Sequence, residues 1–205
     1  MQKNVLYLAS NSASRKSLLT AAQISFQIIF QDADESKVDT TQPLSEIVMN
    51  LALLKMQYAQ LPQALHEGQI IFVLTADTLG KIDAISRILT KPKDRQDAIS
   101  MLEQARLGSL TCTGFCLRKL QWHNNAWQIL NEIIDYDQAE SIFDVPDHFL
   151  DFYLDSIDFL SVSGAISIEG VGGQFLKSVQ GNYETIVGLP MFKIRQALHF
   201  MDFYS

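Results

Sequence analysis

Arg15 and Lys16 stand directly behind a polar run, Ser10-Asn11-Ser12-Ala13-Ser14, at a place where the chemistry is unusual. An apolar strand (Val5 to Ala9) gives way there to a helix over 14–22, with Ser12 or Ser14 as N-cap and Leu18, Leu19 and Ala22 as its buried stripe. Both cations therefore fall in the first helical turn, against the positive end of the helix dipole, at a cost of about 0.3–1 kcal/mol each. A solvated helix face would carry that cost without consequence. An anion bound at the turn would reverse it, because free N–H groups, hydroxyls such as that of Ser10 and the two cations would surround the negative charge.

Two further clusters could work with such an anion. Asp77 follows "IIFVLT" (70–75), a run apolar enough for a buried central strand, and a carboxylate at that tip either caps the next segment or does chemistry. The loop "QDADES" (31–36) reads alone as a solvated turn. Glu35 paired with Asp77, however, would offer hard oxygens to Mg²⁺, which takes one or two carboxylates plus substrate phosphates and waters. Lys55 and Lys91 are candidate phosphate contacts, although each alone reads as a surface lysine. "SIEGVGGQF" (167–175) fits neither G-x-x-x-x-G-K-[ST] nor G-x-G-x-x-G and reads as a tight turn. The four histidines show no metal spacing, and no G-x-S-x-G occurs, which disfavours zinc and serine-hydrolase chemistry.

The elements that must position these groups are strands near 4–9, 25–30, 70–76, 110–118 and 127–136, with helices at 14–22, 44–60, 94–105, 146–154 and 189–202. On the second helix Ile47, Leu51, Leu54 and Tyr58 share one face. This alternation predicts an α/β protein with a mixed or mainly parallel sheet. The first three strands end at Ser10, at 30–35 and at 75–78. If they are parallel neighbours, one sheet edge gathers Ser, Arg, Lys, Thr and several carboxylates, where ligands of open α/β sheets collect.

Bulk properties narrow the classes. The chain has 205 residues, 47% hydrophobic and 19% charged, which suits one globular domain over 1–205 or two closely joined lobes. A net charge of −7 with no basic stripe argues against binding a nucleic-acid backbone. Apolar runs fall far short of the ~20 residues that span a bilayer. "MQKNVLYLASNS" enters a strand-turn pattern with no leader-like apolar stretch, so a cytoplasmic location with no membrane partner is expected. Cys112 and Cys116, four residues apart on a strand, are about 13 Å apart, beyond disulfide reach, and read as small core residues of a reducing compartment.

Taken together, "LASNSASRKSLL" (8–19), "DES" (34–36), "LALLKMQYA" (51–59), "TADT" (75–78), "RILTKPKDRQDAISML" (87–102), "TCTGFCL" (111–117) and "GNYETIVGLP" (181–190) resemble the Maf family of nucleoside triphosphate pyrophosphatases, in that family's order and over nearly the whole chain. The resemblance implies an elongated, two-lobed α/β fold with a central mixed sheet, flanking helices and a cleft, shared with the inosine triphosphatases. It also implies hydrolysis between the α- and β-phosphates of a nucleoside triphosphate, dependent on Mg²⁺ or another divalent cation such as Mn²⁺. By position, Ser10, Arg15, Lys16, Lys55 and Lys91 would contact the triphosphate. Glu35 and Asp77 would hold the metal, with Asp77 the proton acceptor.

The chain also departs from the family pattern. Ala13 and Ser14 replace the usual Pro and Arg ahead of Arg15 and Lys16. Ile166-Ser167-Ile168-Glu169-Gly170 stands where the dTTP/UTP branch has Tyr-Gly-Ile-Gln-Gly. Ionised Glu169 cannot donate a hydrogen bond to a base. A glutamate there resembles the branch acting on 7-methyl-GTP, whereas Ala76-Asp77-Thr78 does not match that branch's Ser-Asp-Gln, so base preference stays open. The family commonly forms a homodimer, which this composition permits. A regulatory reading, in which a division-associated protein binds nucleotide with little turnover, competes with the enzyme; the retained base and metal ligands favour the enzyme. A Rossmann-type binder would need glycines in "LASNSASRK", which has none.

Overall fold

The structure is a computed structural model and describes residues 4–205; residues 1–3, which open the stretch scanned for a leader, lie outside them. In chain order the elements are β1 (Leu6–Leu8), α1 (Ala13–Ala21), β2 (Phe26–Ile28), α2 (Leu44–Gln57), β3 (Ile70–Ile82), β4 (Arg87–Leu89), α3 (Arg95–Ala105), β5 (Ser109–His123), β6 (Ala126–Phe143), α4 (Leu150–Asp155), β7 (Leu176–Gln180), α5 (Tyr183–Val187) and α6 (Met191–Phe200). One mixed seven-stranded sheet runs in the order β2-β1-β3-β5-β6-β7, with β4 paired to β3. The α/β class is as the sequence implies, and the first three strands are parallel neighbours: Leu8 is in register with Ile28 on one side and Leu74 on the other. β4 and β7 run antiparallel to β3 and β6. Asn124 and Asn125, both at positive φ, turn β5 into β6, as two-residue hairpin loops favour.

The chain divides into two compact units. The first comprises the chain through Asp77, Thr113–Asp137 and Gly188–Ser205; the second comprises Thr78–Cys112 and Gln138–Val187.

In the first unit the two-residue period of a strand sorts β3 onto two helical layers. Phe72, Leu74 and Ala76 pack with Leu19 of α1 and with Ile194 and Leu198 of α6. Ile71 and Val73 pack with Ala52 and Met56 of α2, beside Tyr7, Cys116 and Leu120. The same alternation puts Thr75 and Asp77 on the α2 face. Helix α2 lies very close to the sheet: a Cβ built on Gly114 of β5 would sit 2.5 Å from the carbonyl carbon of Val48 and 2.7 Å from the amide nitrogen of Met49. Only a residue without a side chain lets the helix backbone come so near.

The second unit has its own core, in which Phe143, Tyr153 and Phe175 meet edge-on or tilted around Ile82, Leu89 and Leu102. Its Tyr153 hydroxyl donates to the carbonyl of Ala165 at 2.8 Å, and burial pushes the phenol up to about 12.

Several boundaries differ from the sequence reading. β3 does not stop at "TADT" but continues to Ile82, because β4 supplies an antiparallel partner (Gly80 against Leu89, Ile82 against Arg87). Asp77 is therefore inside a strand and not at its tip. β5 and β6 are longer than expected, and β4, β7 and α5 carried no local signal. α2 ends at Gln57 and leaves Tyr58 exposed, while Ala22, expected in a buried stripe, lies past the end of α1 in solvent. Cys112 and Cys116 are buried thiols that are not joined in a disulfide. Among the described residues no helix is long and apolar enough to cross a membrane.

Gly114→Ala should force α2 away from β5. An overpacking cost of about 1–3 kcal/mol should lower the thermal midpoint by several degrees, read by circular dichroism.

Candidate functional site

Ser12 is the N-cap of α1, and its hydroxyl accepts the amide of Arg15 at 3.4 Å. That cap fixes where the Arg15 side chain leaves the helix. The guanidinium does not reach into water: Arg15 is buried, its Nε donates to the carbonyl of Gly188 at 3.0 Å and its Nη1 to Ser10 Oγ at 3.2 Å. Ser10 Oγ also accepts the amide of Ser12 at 3.3 Å. Burial pushes the Arg15 pKa down, while the carboxylates of Asp77 and Glu35 push it back up. Lys16, one position on, is half-buried.

Lys55 occupies the last turn of α2, where a cation complements the helix dipole. Its Nζ lies 3.0 Å from Glu35 Oε1 and donates to Asp77 Oδ1. Lys55 and Asp77 are each 7% exposed, whereas the Glu35 side chain is 53% exposed and meets the pair from the solvent side. Burial raises the pKa of Asp77. Lys55 and Arg15 oppose the rise, and Glu35 adds to it. Glu35 is placed by a single 3₁₀ turn, Glu35–Lys37, whose cap is Asp34: its carboxylate accepts the amide of Ser36 at 3.2 Å and the hydroxyl at 2.6 Å. Asp34 thus shapes the loop, and Asp32 is exposed.

Ser10, Arg15, Glu35, Lys55 and Asp77 are consequently linked within the first unit. The result is a buried carboxylate of raised basicity, held by an ammonium and near a guanidinium, with a second carboxylate open to solvent. Among the described residues no group of three or more His, Cys, Asp or Glu could hold a metal. The protein alone offers two converging carboxylates, which matches the Mg²⁺ pattern of few protein ligands completed by phosphates and water.

The other two residues singled out from the sequence belong to the second unit. Lys91 is exposed between β4 and α3. Glu169 is half-buried before the 3₁₀ segment Gly170–Phe175, and its charge joins burial in raising the pKa of Tyr183. The glycine-rich stretch is a tight turn, as read: a Cβ on Gly172 would collide with the carbonyl oxygen of Ser167.

Three contributors went unmarked in the sequence. The carbonyl of Gly188, Thr75 and Gly114 act through backbone contacts that no residue-type pattern announces, although all three sit in the quoted motifs "GNYETIVGLP", "TADT" and "TCTGFCL".

The profile of the family described as Maf-like protein matches residues 5–201. Among relatives, the dTTP/UTP pyrophosphatase of Bacillus cytotoxicus is 33% identical over 199 residues, covering 95% of this chain and 94% of the relative. The dTTP/UTP pyrophosphatase of Caldanaerobacter subterraneus is 32% identical over 192 residues, covering 92% and 85%. That of Acholeplasma laidlawii is 30% identical over 205 residues, covering 95% of each.

In metal-free protein the Asp77 carboxyl should titrate above the ordinary aspartate value of about 3.9, and still higher in Lys55→Met, which removes a cation that holds it down. Carboxyl ¹³C NMR, with Asp77→Asn for assignment, checks both.

Proposed function

The chain belongs to the Maf-like protein family, and from that premise we propose that it is a nucleoside triphosphate pyrophosphatase, cleaving the α–β phosphate bond to a nucleoside monophosphate and pyrophosphate. The observation that carries this reading is the pairing of buried Asp77 with Lys55, beside Arg15 and the solvent-facing Glu35. Water attacking a phosphorus ringed by negative oxygens needs a base to orient and deprotonate it, and cations to take up charge on the departing pyrophosphate.

Asp77 is suited to the first task. Its raised basicity favours accepting a proton, and its burial limits competing solvent. Lys55, Arg15 and Lys16 suit the second, three cations against two carboxylates, with the Ser10 hydroxyl held by Arg15. Glu35 and Asp77 would hold Mg²⁺ or Mn²⁺, which supplies charge neutralisation of the polyphosphate. The names of the relatives favour a pyrimidine substrate, dTTP or UTP.

Pyrophosphate release from dTTP, UTP and 7-methyl-GTP with Mg²⁺ tests the reading. Release with matching monophosphate is expected for at least one of them, and Asp77→Asn should lower kcat by about 10²–10⁴-fold while the far-ultraviolet spectrum is retained. Measurable nucleotide binding with no release would instead favour a regulator.

A further inference from the structure

We infer that Thr75 is a positioning residue, whose buried hydroxyl ties the carbonyl of Ala52 in α2 to β3 and so holds the Lys55 ammonium on the Asp77 carboxylate. Its kinetic consequence rests on the pyrophosphatase reading; its structural consequence does not.

Thr75 is 0% exposed, and its Oγ1 donates to the carbonyl oxygen of Ala52 at 2.7 Å, with the carbonyl of Cys116 at 3.5 Å. The acceptor belongs to the interior of a helix, where the carbonyl already serves an amide four residues on. The bond is therefore additional to what the helix needs. Burying a hydroxyl is costly unless it is hydrogen-bonded, and valine would fill a buried β-strand position without that requirement. The hydroxyl needs a reason, and the geometry supplies one.

Asp77 is two residues beyond Thr75 on the same face of β3, about 6.6 Å along the strand. Lys55 is three residues beyond Ala52, about 4.5 Å along the helix. The Thr75–Ala52 bond and the Lys55–Asp77 pair are thus successive rungs between one helix and one strand. Lys55 has a long side chain with four rotatable bonds, whereas its carboxylate partner stands on a short side chain carried by β3. What fixes the distance between them is the seating of α2. Gly114 permits a close approach under Val48 but offers no directional contact, whereas the Thr75 hydroxyl bonds to a defined point one turn before Lys55.

Thr75→Val, which removes the hydroxyl, and Thr75→Ser, which keeps it, separate this role from packing. Two readouts are needed. The ¹H–¹⁵N correlation of the Lys55 ammonium, assigned with Lys55→Met, reports the pairing directly in ligand-free protein. Steady-state kinetics with dTTP or UTP report its use. In Thr75→Val the Lys55 signal should broaden or vanish and kcat should fall about 10-fold or more, with a smaller change in KM; Thr75→Ser should restore both. A valine variant that melts lower yet keeps the wild-type ammonium signal and kcat overturns the inference, since the hydroxyl would then serve stability alone. If valine prevents folding, Thr75→Ala carries the same comparison. Absence of pyrophosphate release from the wild-type protein would fail the functional reading, while the ammonium signal of the valine and serine variants would still decide the role of Thr75.

Discussion

An ammonium shared between two carboxylates, one buried and one facing solvent, is the interaction on which the first unit is organised. Lys55 and Asp77 are nearly withdrawn from water, and an isolated charge of either sign would be untenable there. Removing one partner of such a pair typically costs about 3–5 kcal/mol, because the other is left uncompensated. The pair therefore constrains everything that carries it. Helix α2 must end where its last turn reaches β3, and the 3₁₀ turn holding Glu35 must approach from outside.

The cations in the first turn of α1 belong to the same accounting of charge. A guanidinium beside the positive end of a helix is unfavourable by itself. Arg15 meets the carbonyl of Gly188, the hydroxyl of Ser10 and the field of Asp77 and Glu35, which together replace the water it has lost. The bond to Gly188 also joins α1 to the segment that leads into α6, and these two helices cover the same face of the sheet. Arg15 is accordingly both a positive charge beside Asp77 and Glu35 and a tie within the scaffold, whereas Lys16 is half-buried.

On the proposed reading, this arrangement is how a chain with a net charge of −7 would serve an anionic substrate. Attraction would come from local cations held by geometry and not from the protein as a whole, since charges separated by more than about 8–10 Å are screened at physiological salt. The buried acid gains basicity from the same withdrawal from water that its neighbouring cations limit. Strong desolvation favours proton uptake, and Lys55 with Arg15 keeps the ionised form accessible.

By itself the amino-acid sequence determined the α/β class, the polar turn before α1 and the amphipathic α2, while Arg15, Lys16, Glu35, Lys55, Lys91 and Asp77 were candidates for work on a polyphosphate that only the family resemblance drew together. The first three features depend on local periodicity, capping and residue chemistry, which are properties of short stretches. It could not reveal that β3 runs past Asp77, because that extension depends on pairing with β4 across a chain reversal. Nor could it show Arg15 bonded to Gly188, 173 residues away, or Thr75 bonded to Ala52. Only the tertiary structure decided those contacts, since a backbone carbonyl looks the same at every position in a sequence and becomes a partner only when packing brings it there.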